Sequence, residues 1–236
     1  MIKNNLNNDE TVIIENNKLE NTIADKNKFL NEIKKWDEIT EEKIKLIEKY
    51  VEFLLGKQKE MNLISNSSIE VIWTRHILDS IQLIKYFKKY NNDLTNLKIF
   101  DFGSGAGLPG IIAAIMDMDN KYYLFESVQK KAQFLTEVIQ HLSLTNVFVI
   151  NKRIEDTNKN LKADIILSRA MAKLDELLKL TAKYLKKDGY CLFFKGKSYL
   201  EELKTSEKFF KYQFSYKKFK NLFNDEGVIL LIKRKQ

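Results

Sequence analysis

The stretch Ile99 to Gly110, IFDFGSGAGLPG, constrains the fold of this chain most. It holds four of the eight glycines and the only proline. Leu97 to Phe102 is apolar enough for a buried strand, and Ile111 to Met116 supplies the buried face of a helix. The chain must turn sharply between them, and glycine permits both a positive φ and the close approach of a ligand. Pro109 suits the first helical turn, where its missing N–H costs nothing. A strand, a glycine turn and a helix N-terminus together predict a ligand site of the nucleotide-binding kind.

The glycine spacing leaves two ligand classes to compare. Gly105, Gly107 and Gly110 satisfy G-x-G-x-x-G, a weak indication of a dinucleotide site when it stands alone. Asp101, two residues before Gly103, would place a negative charge near a pyrophosphate, which is costly. It suits a cationic ligand with an amino group, such as S-adenosylmethionine. The acidic-x-Gly-x-Gly-x-Gly pattern resembles the first motif of class I methyltransferases. The alternative is a glycine-rich turn that holds no ligand.

Composition limits the class of protein. With 236 residues, 44% of them hydrophobic, the chain can form one sizeable domain and a small extra element. The longest apolar run, Ile111 to Met116, is too short to cross a membrane, and the first residues show no apolar signal segment. The single cysteine, Cys191, excludes internal disulfides and fits a reducing compartment. We therefore expect a cytoplasmic protein that does not enter a membrane.

The charge of the chain is unevenly distributed. The formal net charge is +8, yet residues 1–96 carry 15 Lys and Arg against 16 Asp and Glu, whereas residues 97–236 carry 25 against 16. A basic carboxyl-terminal part suggests a polyanionic partner such as nucleic acid. The alternative is a general enrichment in surface lysine without a specific partner.

The first 96 residues predict a small helical region. Residues 1–24 are rich in Asn and weakly patterned, so we expect a mobile extension. Residues 25–96 predict an N-terminal helical cap. Thr40 is a typical N-cap residue, and Gly56 is placed to end the helix that follows. A further helix is predicted from Trp73 to Tyr90.

After a linker at Asn91 to Asn96, strands and helices alternate, which is typical of a parallel sheet covered by helices. Residues 97–236 thus predict an α/β domain, Rossmann-like, with a mostly parallel seven-stranded sheet. The first five strands are expected at Leu97–Phe102, Tyr122–Glu126, Val147–Ile150, Asp164–Leu167 and Tyr190–Phe194. The helices between them are expected to begin near Pro109, Val128, Arg153 and Leu174.

The end of the chain predicts a C-terminal antiparallel hairpin. Lys186 to Gly189 are expected to close the preceding helix, because cations and glycine favour a helix C-terminus. A helix near Tyr199 to Lys208 comes next. The two hairpin strands are expected around Tyr212, Phe214 and Tyr216 and at Val228–Lys233, with a turn at Asn224–Gly227.

Two charged residues at predicted strand ends are candidate ligand contacts. Glu126 lies 19 residues beyond Gly107, where a doubly wound fold places the carboxylate that accepts hydrogen bonds from ribose hydroxyls. The alternative is an ordinary solvated acid. Arg169 follows the fourth strand, where its guanidinium can hold the methionine carboxylate or orient the substrate. An unrelated surface arginine is the alternative there.

A series of short motifs gives the chain a family resemblance. In chain order they are Asn62-Leu63-Ile64-Ser65, Arg75-His76-Ile77-Leu78-Asp79-Ser80, Asp101–Gly110, Arg153-x-Glu155, Ser168-Arg169-Ala170 and Lys195-Gly196. This order resembles the RsmG (GidB) family of bacterial small-subunit rRNA guanine-N7 methyltransferases. The resemblance implies a class I methyltransferase fold, S-adenosylmethionine as methyl donor, and 16S rRNA, within the small ribosomal subunit, as substrate of a monomer.

The resemblance also implies roles for individual residues. Those implied for the methionine and ribose pocket are Asp101, Gly103, Gly105, Gly107 and Leu108. Ile154 and Glu155 would contact adenine, although Glu155 is equally suited to cap a short helix. Those implied for RNA are Arg75, His76, Lys195 and Lys197. A structural alternative is an ion pair between Arg75 and Asp79, four residues apart on a helix. No metal site is expected.

The type of reaction is narrowed by missing residues. An amino-group methyltransferase would carry an Asp/Asn-Pro-Pro-aromatic signature, which a chain with one proline cannot hold. C5-cytosine chemistry needs a nucleophilic cysteine in an active loop, whereas Cys191 lies in a predicted strand. Guanine N7 has a lone pair and no proton to lose, so its methylation needs no general base and we assign none. Methylation at guanine N1 or at a ribose 2′-O is not excluded by this argument. Two other classes also remain: a class I methyltransferase with a non-RNA substrate, and a non-catalytic ribosome-assembly factor.

Overall fold

A computed structural model describes residues 8–90, 95–220 and 227–235. The helices are α1 (Asn8–Ile33), α2 (Glu41–Gln58), a π-helical turn (Trp73–Leu78), α3 (Asp79–Tyr90), α4 (Gly110–Met116), α5 (Gln129–His141), α6 (Leu174–Tyr184), α7 (Tyr199–Thr205) and α8 (Glu207–Tyr212). Short 3₁₀ turns lie at Asn66–Ser68 and Ile154–Asp156. The strands are β1 (Lys98–Phe102), β2 (Lys121–Phe125), β3 (Val147–Ile150), β4 (Ala163–Arg169), β5 (Leu185–Lys195), β6 (Phe214–Lys220) and β7 (Val228–Arg234).

The seven strands form one sheet in the order β3-β2-β1-β4-β5-β7-β6. The first five are parallel, and β7 runs antiparallel to both β5 and β6. The predicted mostly parallel sheet with a C-terminal hairpin is therefore confirmed. Because β1 to β5 are parallel, their carboxyl ends share one edge, and the order reverses beside β1, where ligands bind in open α/β sheets. No described helix is both long and apolar enough to cross a membrane.

Helices cover both faces of the sheet. The buried residues of α2, α3, α4 and α5 form one hydrophobic cluster with one face, and those of α6 and α8 form a second cluster with the other. Phe100 and Phe102 of β1 point into the second cluster, while Ile99 points into the first. This alternation is the period of two that a strand requires. The helices before β1 are thus packed on the sheet as part of a continuous core.

The helical region begins differently from the prediction. Helix α1 begins at Asn8, inside the segment 1–24 that we expected to be an extension, and residues 1–7 lie outside the described part. The mobility of 1–24 therefore stays a prediction. Thr40 caps α2 as predicted, since its Oγ1 accepts the N–H of Lys43 at 3.4 Å. The helix does not end at Gly56 but continues to Gln58, because glycine inside a helix costs only about 1 kcal/mol.

The predicted helix from Trp73 to Tyr90 contains an irregular first turn. Its opening residues form the π-helical turn, and regular α-helix begins only at Asp79. The turn is held from outside by Asp25 of α1, whose carboxylate accepts the backbone N–H groups of Trp73 at 2.8 Å and Thr74 at 3.1 Å. Single π-turns of this kind concentrate at functional sites. The predicted linker 91–96 lies outside the described residues apart from 95 and 96.

Two predictions near the C-terminus were wrong. Helix α6 ends at Tyr184, and Lys186 to Gly189 belong to β5 instead of the helix end. The register between β4 and β5 shifts here, from Ala163 opposite Leu185 to Ile165 opposite Tyr190, so Lys186 to Gly189 form an irregular part of β5. Lys186 pairs with Asp164 of β4 at 2.7 Å, and a Cβ at Gly189 would lie 2.9 Å from the carbonyl oxygen of the same residue. Tyr212 is the last residue of α8, so β6 begins only at Phe214. The predicted hairpin turn lies outside the described residues except for Gly227.

Candidate active site

Three glycines form a corner between β1 and α4, at the carboxyl edge of the sheet. Gly103, Gly105 and Gly107 have φ values of 70°, 54° and 88°, which side-chain-bearing residues rarely adopt. A Cβ at Gly103 would lie 2.8 Å from Met171 Cγ, and one at Gly107 would lie 2.6 Å from Ile111 Cγ1. A Cβ at Gly105 would meet nothing closer than 3.9 Å. The corner is therefore packed from behind at two glycines and faces open space at Gly105.

Glu126 joins this glycine corner to the next loop. Its Oε2 accepts the N–H of Gly105 at 2.9 Å, and its Oε1 accepts the N–H of Val128 at 2.7 Å. Its own carbonyl accepts the side-chain amide of Asn151 at 2.8 Å, which ties in the loop after β3. Each carboxylate oxygen can accept a second hydrogen bond. Glu126 therefore shapes the corner and keeps acceptor capacity for hydroxyl groups of a ligand.

Asp101 lies beneath the corner and is almost completely buried. Its Oδ2 accepts the N–H of Gly110 at 3.2 Å, at the first residue of α4, whereas its Oδ1 is buried with no hydrogen-bond partner among the described residues. Burial raises the pKa of Asp101 to about 7. A buried acid with an unused oxygen is stabilised in its charged form by a nearby cation. The expected contact between Asp101 and a cationic ligand stays a prediction.

The helical region also supports the corner. Tyr50 of α2 is fully buried, and its hydroxyl donates to the carbonyl oxygen of Ala106 at 2.7 Å. Ala106 stands between two of the positive-φ glycines, so this bond holds the middle of the corner. Sequence reasoning missed Tyr50, because it continues the apolar face of Ile47 and Leu54 and carries no motif. A residue 56 positions away thus belongs to the site.

The loops after β2 and β3 form the neighbouring part of the edge. Ile154 is buried in a 3₁₀ turn, where its carbonyl oxygen accepts the Tyr184 hydroxyl at 2.6 Å, and Glu155 beside it is exposed. Val128, just past Glu126, is 50% exposed. An exposed apolar residue at this position offers a surface for a planar ring, a feature that the sequence analysis did not identify. Leu108 is buried in the corner itself.

Arg169, at the end of β4, connects the sheet to the π-helical turn. Its Nη2 donates to the carbonyl oxygen of Arg75 at 2.9 Å and lies 3.8 Å from Asp79 Oδ2. Its guanidinium carbon lies 5.6 Å from the ring centre of Phe194, the residue opposite it in β5. Its Nη1 is buried and has no hydrogen-bond partner in the described part of the chain. Burial lowers the pKa of Arg169, while Asp79 opposes this effect.

The residues expected to contact RNA occupy three different settings. Both ring nitrogens of His76 are buried, and neither has a partner within the described ranges. Burial, assisted by Arg169 and Arg75, lowers the pKa of His76 to about 3, so its ring is neutral and offers no charge to a phosphate. The side chains of Arg75 and Lys197 are exposed.

Lys195 lies in a buried ion pair at the end of β5. Its ammonium donates to Glu202 Oε2 and to the carbonyl oxygen of Ala172, both at 2.8 Å, and its side chain is 6% exposed. These contacts join the end of β5 to α7 and to the loop after β4. A phosphate would have to compete with this buried ion pair, and the expected role of Lys195 in RNA binding stays a prediction. Its partner on α7 was not identified from the sequence.

Comparison with known proteins identifies the family. The sequence profile of GidB, described as rRNA small subunit methyltransferase G, matches residues 43–235. A protein named Ribosomal RNA small subunit methyltransferase G from Carboxydothermus hydrogenoformans is 37% identical over 174 residues, which are 72% of this chain and 72% of that protein. A protein of the same name from Orientia tsutsugamushi (strain Ikeda) is 36% identical over 195 residues, 83% of this chain and 92% of the other. This chain belongs to the GidB family.

Solved structures agree with this GidB assignment at the level of the fold. The plantazolicin methyltransferase BpumL, solved in complex with SAH, has a TM-score of 0.59 at 12% identity and covers 84% of this chain and 100% of its own. Fibrillarin in its complex with Nop5p has a TM-score of 0.54 at 16% identity, and the match covers 68% of this chain and 85% of the fibrillarin chain. The GidB match begins inside α2 and therefore includes Tyr50, the π-helical turn and the whole sheet.

Proposed function

We propose that this protein transfers the methyl group of S-adenosylmethionine to N7 of a guanosine in 16S rRNA. It acts as a monomer on the small ribosomal subunit in the cytoplasm. The names of its GidB relatives, Ribosomal RNA small subunit methyltransferase G, support the RNA substrate. The observation that carries the proposal is Glu126, which joins the open glycine corner to Val128 through two backbone N–H groups.

The residues at the corner fit this methyl donor. Gly105 faces open space, so the backbone can lie directly against a ligand. Glu126 retains acceptor capacity for ribose hydroxyls, and Val128 offers an exposed apolar face for adenine. The unused oxygen of Asp101 favours a positively charged ligand over a pyrophosphate. Each of these features suits an adenosine that carries an amino acid and a sulfonium.

The chain contributes position and charge to the reaction. When bound, S-adenosylmethionine supplies a methyl group on a positively charged sulfur. Guanine N7 offers a lone pair and loses no proton, so a general base is unnecessary. Alignment of the reacting atoms contributes about 7–11 kcal/mol to lowering a barrier of this kind. Glu126 at the ribose, Ile154 and Glu155 at the adenine, and Arg169 at the reacting end provide that alignment.

The chain is proposed to act in three parts. Residues 1–24 are an extension, residues 25–96 are a cap that borders the RNA groove, and residues 97–236 carry the donor site. The larger part carries the excess of basic residues, which provides an attractive field for phosphates. Arg75 and Lys197 are exposed, which supports a role for them in contacting RNA.

Calorimetry tests the donor site. Glu126→Gln keeps the size of the side chain but replaces one of its two acceptor oxygens with an amide group and removes the charge. We expect the affinity for S-adenosylmethionine to fall at least tenfold, which is about the effect of losing one charged hydrogen bond. Glu137→Gln on α5, whose carboxylate pairs with Lys57 on the surface, is the matched control and should leave the affinity unchanged. Equal affinity in both variants rejects the role of Glu126.

A labelling experiment tests the reaction. Small ribosomal subunits from a strain that lacks this protein are incubated with the protein and methyl-labelled S-adenosylmethionine, and the rRNA is digested to nucleosides. We expect the label in N7-methylguanosine, with a rate that falls steeply as salt rises. Label in another nucleoside contradicts the target atom. Donor binding without methyl transfer supports a non-catalytic ribosome-assembly factor. Transfer to a non-RNA substrate, with none to RNA, supports a class I methyltransferase with a non-RNA substrate.

A further inference from the structure

Asp25 of α1 is buried against the first residues of the π-helical turn, and the residue is 4% exposed. Its Oδ2 accepts the backbone N–H groups of Trp73 and Thr74, and its Oδ1 accepts the Thr74 hydroxyl at 2.5 Å. The first N–H groups of a helical segment lack partners within that segment, and Ile72, which precedes the turn, provides no side-chain cap. The cap therefore comes from a residue 48 positions earlier in the chain.

Contacts around Trp73 keep α1 in place against the turn. The ring centre of Phe29, which is fully buried, lies 5.3 Å from that of Trp73. The ammonium of Lys26 lies 5.3 Å from the centre of the Trp73 ring and also pairs with Glu48 of α2 at 2.7 Å. Helix α1 is thereby tied to both the turn and α2, so the carboxylate of Asp25 is held beside the N–H groups that it accepts.

The turn connects Asp25 to Arg169 at the carboxyl edge of the sheet. Arg75 follows Thr74 directly, and its carbonyl oxygen accepts Arg169 Nη2 at 2.9 Å. The N–H groups bound by Asp25 and the carbonyl bound by Arg169 therefore belong to three consecutive residues. Because peptide groups are planar and rigid, a shift of the first residues of the turn moves this carbonyl as well. The guanidinium of Arg169 would then lose its hydrogen bond or follow the carbonyl.

We propose that Asp25 is a positioning residue for the methyl transfer. It fixes the first residues of the π-helical turn and, through the carbonyl of Arg75, the guanidinium of Arg169. This inference rests on the proposed function, in which Arg169 acts at the reacting end. The match to GidB begins at residue 43, so the support comes from a helix that precedes the matched part of the chain. A displacement of about 1 Å that originates far from the reacting atoms can lower a rate by about 100-fold.

Two variants weaken the connection between α1 and the turn, and two controls leave it intact. Asp25→Asn keeps the shape of the side chain but replaces one acceptor oxygen with an amide group, so at least one of the three hydrogen bonds is lost. Thr74→Val removes the hydroxyl and keeps both backbone bonds. The control Asn21→Ala removes a surface contact of the same helix with Glu70. The control Ile232→Val lowers stability from within β7, in the second hydrophobic cluster.

Methyl transfer by these proteins tests the inference. For each we measure thermal unfolding, the affinity for S-adenosylmethionine, and kcat and KM for small ribosomal subunits from a strain lacking this protein. We expect kcat/KM to fall about 10- to 100-fold in Asp25→Asn, because Arg169 is displaced, and to fall less in Thr74→Val. In both controls kcat/KM should stay within about twofold of the wild type, although Ile232→Val lowers the unfolding temperature.

A double-mutant cycle with Arg169→Lys separates positioning from a purely structural role. Lysine keeps the positive charge but lacks the planar fork of donors. If Asp25 acts through Arg169, the variant that carries both substitutions should have a kcat/KM within about threefold of Arg169→Lys alone, because the same contact is already lost. If Asp25 only stabilises the fold, the two effects are independent and their losses in kcat/KM multiply.

The outcomes separate this inference from the proposed function. If the wild-type protein transfers no methyl group to guanine, the proposed function itself fails. If the wild type is active and folded Asp25→Asn keeps its kcat/KM, or if its loss multiplies with that of Arg169→Lys, the positioning role is overturned and the proposed function stands. If Arg169→Lys keeps full activity, Asp25 has no reacting group to position, and the inference is also overturned. Should Asp25→Asn fail to fold, Thr74→Val decides in the same cycle.

Discussion

Removing one hydroxyl from Tyr50 tests whether the helical region supports the donor site. Tyr50→Phe deletes the bond to the carbonyl oxygen of Ala106 and leaves the surrounding packing in place. The carbonyl then lacks a partner in a buried environment, which costs about 1–3 kcal/mol. The cost falls on the corner between Gly105 and Gly107, whose backbone angles depend on such contacts.

We expect this loss to affect donor binding as well as stability. If the corner relaxes when the bond is missing, ligand binding must restore it, and about 1.4 kcal/mol of that cost reduces the affinity tenfold. Isothermal titration with S-adenosylmethionine measures the dissociation constant, and urea unfolding measures the stability. The expected result is a dissociation constant raised about tenfold, together with a loss of about 1–3 kcal/mol in the free energy of unfolding.

Tyr122→Phe provides the matched control. Tyr122 is also fully buried, and its hydroxyl donates to Asp117 Oδ2 at 3.1 Å, near the start of β2 and away from the glycine corner. This variant should lose stability to a similar degree with an unchanged dissociation constant. An unchanged dissociation constant for S-adenosylmethionine in Tyr50→Phe, or an equal increase of that constant in both variants, would refute the proposed support of the glycine corner by Tyr50.

Two further predictions concern charged groups near the edge. The pKa of His76 in the folded protein is about 3, against 6.5 for the unperturbed group. The unfolded chain therefore binds the extra proton, so lowering the pH from 6.5 to 5 should remove about 1.6 kcal/mol of the stability that His76 contributes. Because the raised pKa of Asp101 shifts the stability in the opposite direction over this range, the measurement is the difference in urea unfolding between the wild type and His76→Asn at the two pH values. Lys195→Met should lose about 3 kcal/mol in urea unfolding, because it leaves Glu202 without its partner. If Lys195 contacts a phosphate, the slope of log affinity for RNA against log salt should become less negative by about 1 in the same variant.

Local patterns predicted the part of the site that lies along the chain. The glycine corner and Glu126 were identified because a short strand, a glycine turn and a strand-end acid follow one another at fixed spacing. The same alternation predicted a mostly parallel seven-stranded sheet with a C-terminal hairpin, which the structure confirms; the strand order was not predicted. Sequence spacing is sufficient here because each βα unit supplies its own piece of the carboxyl edge.

Contacts between segments that are distant in the chain could not be predicted, because they leave no regular spacing in the sequence. Tyr50 occupies an ordinary position on an apolar helix face, and only the fold brings its hydroxyl to Ala106. Lys195 was expected to contact RNA from the family resemblance, and nothing in the local sequence indicated that the fold buries it against Glu202. Lys186 to Gly189 carried the signals of a helix end, but they lie in an irregular part of β5, where Lys186 pairs with Asp164 of β4. In each case a tertiary partner decided the outcome against a local preference.

The bond from Tyr50 to Ala106 and the bond from Arg169 to Arg75 have a common consequence. A gene fragment starting at Leu97 would encode all seven strands, yet it would lack the anchor of the glycine corner and the carbonyl that orients Arg169. The sheet domain alone is therefore not a complete catalytic unit, and the helical region is not a part that could be exchanged without affecting the site. Replacing the helical segment with a foreign one would therefore change both the glycine corner and the orientation of Arg169.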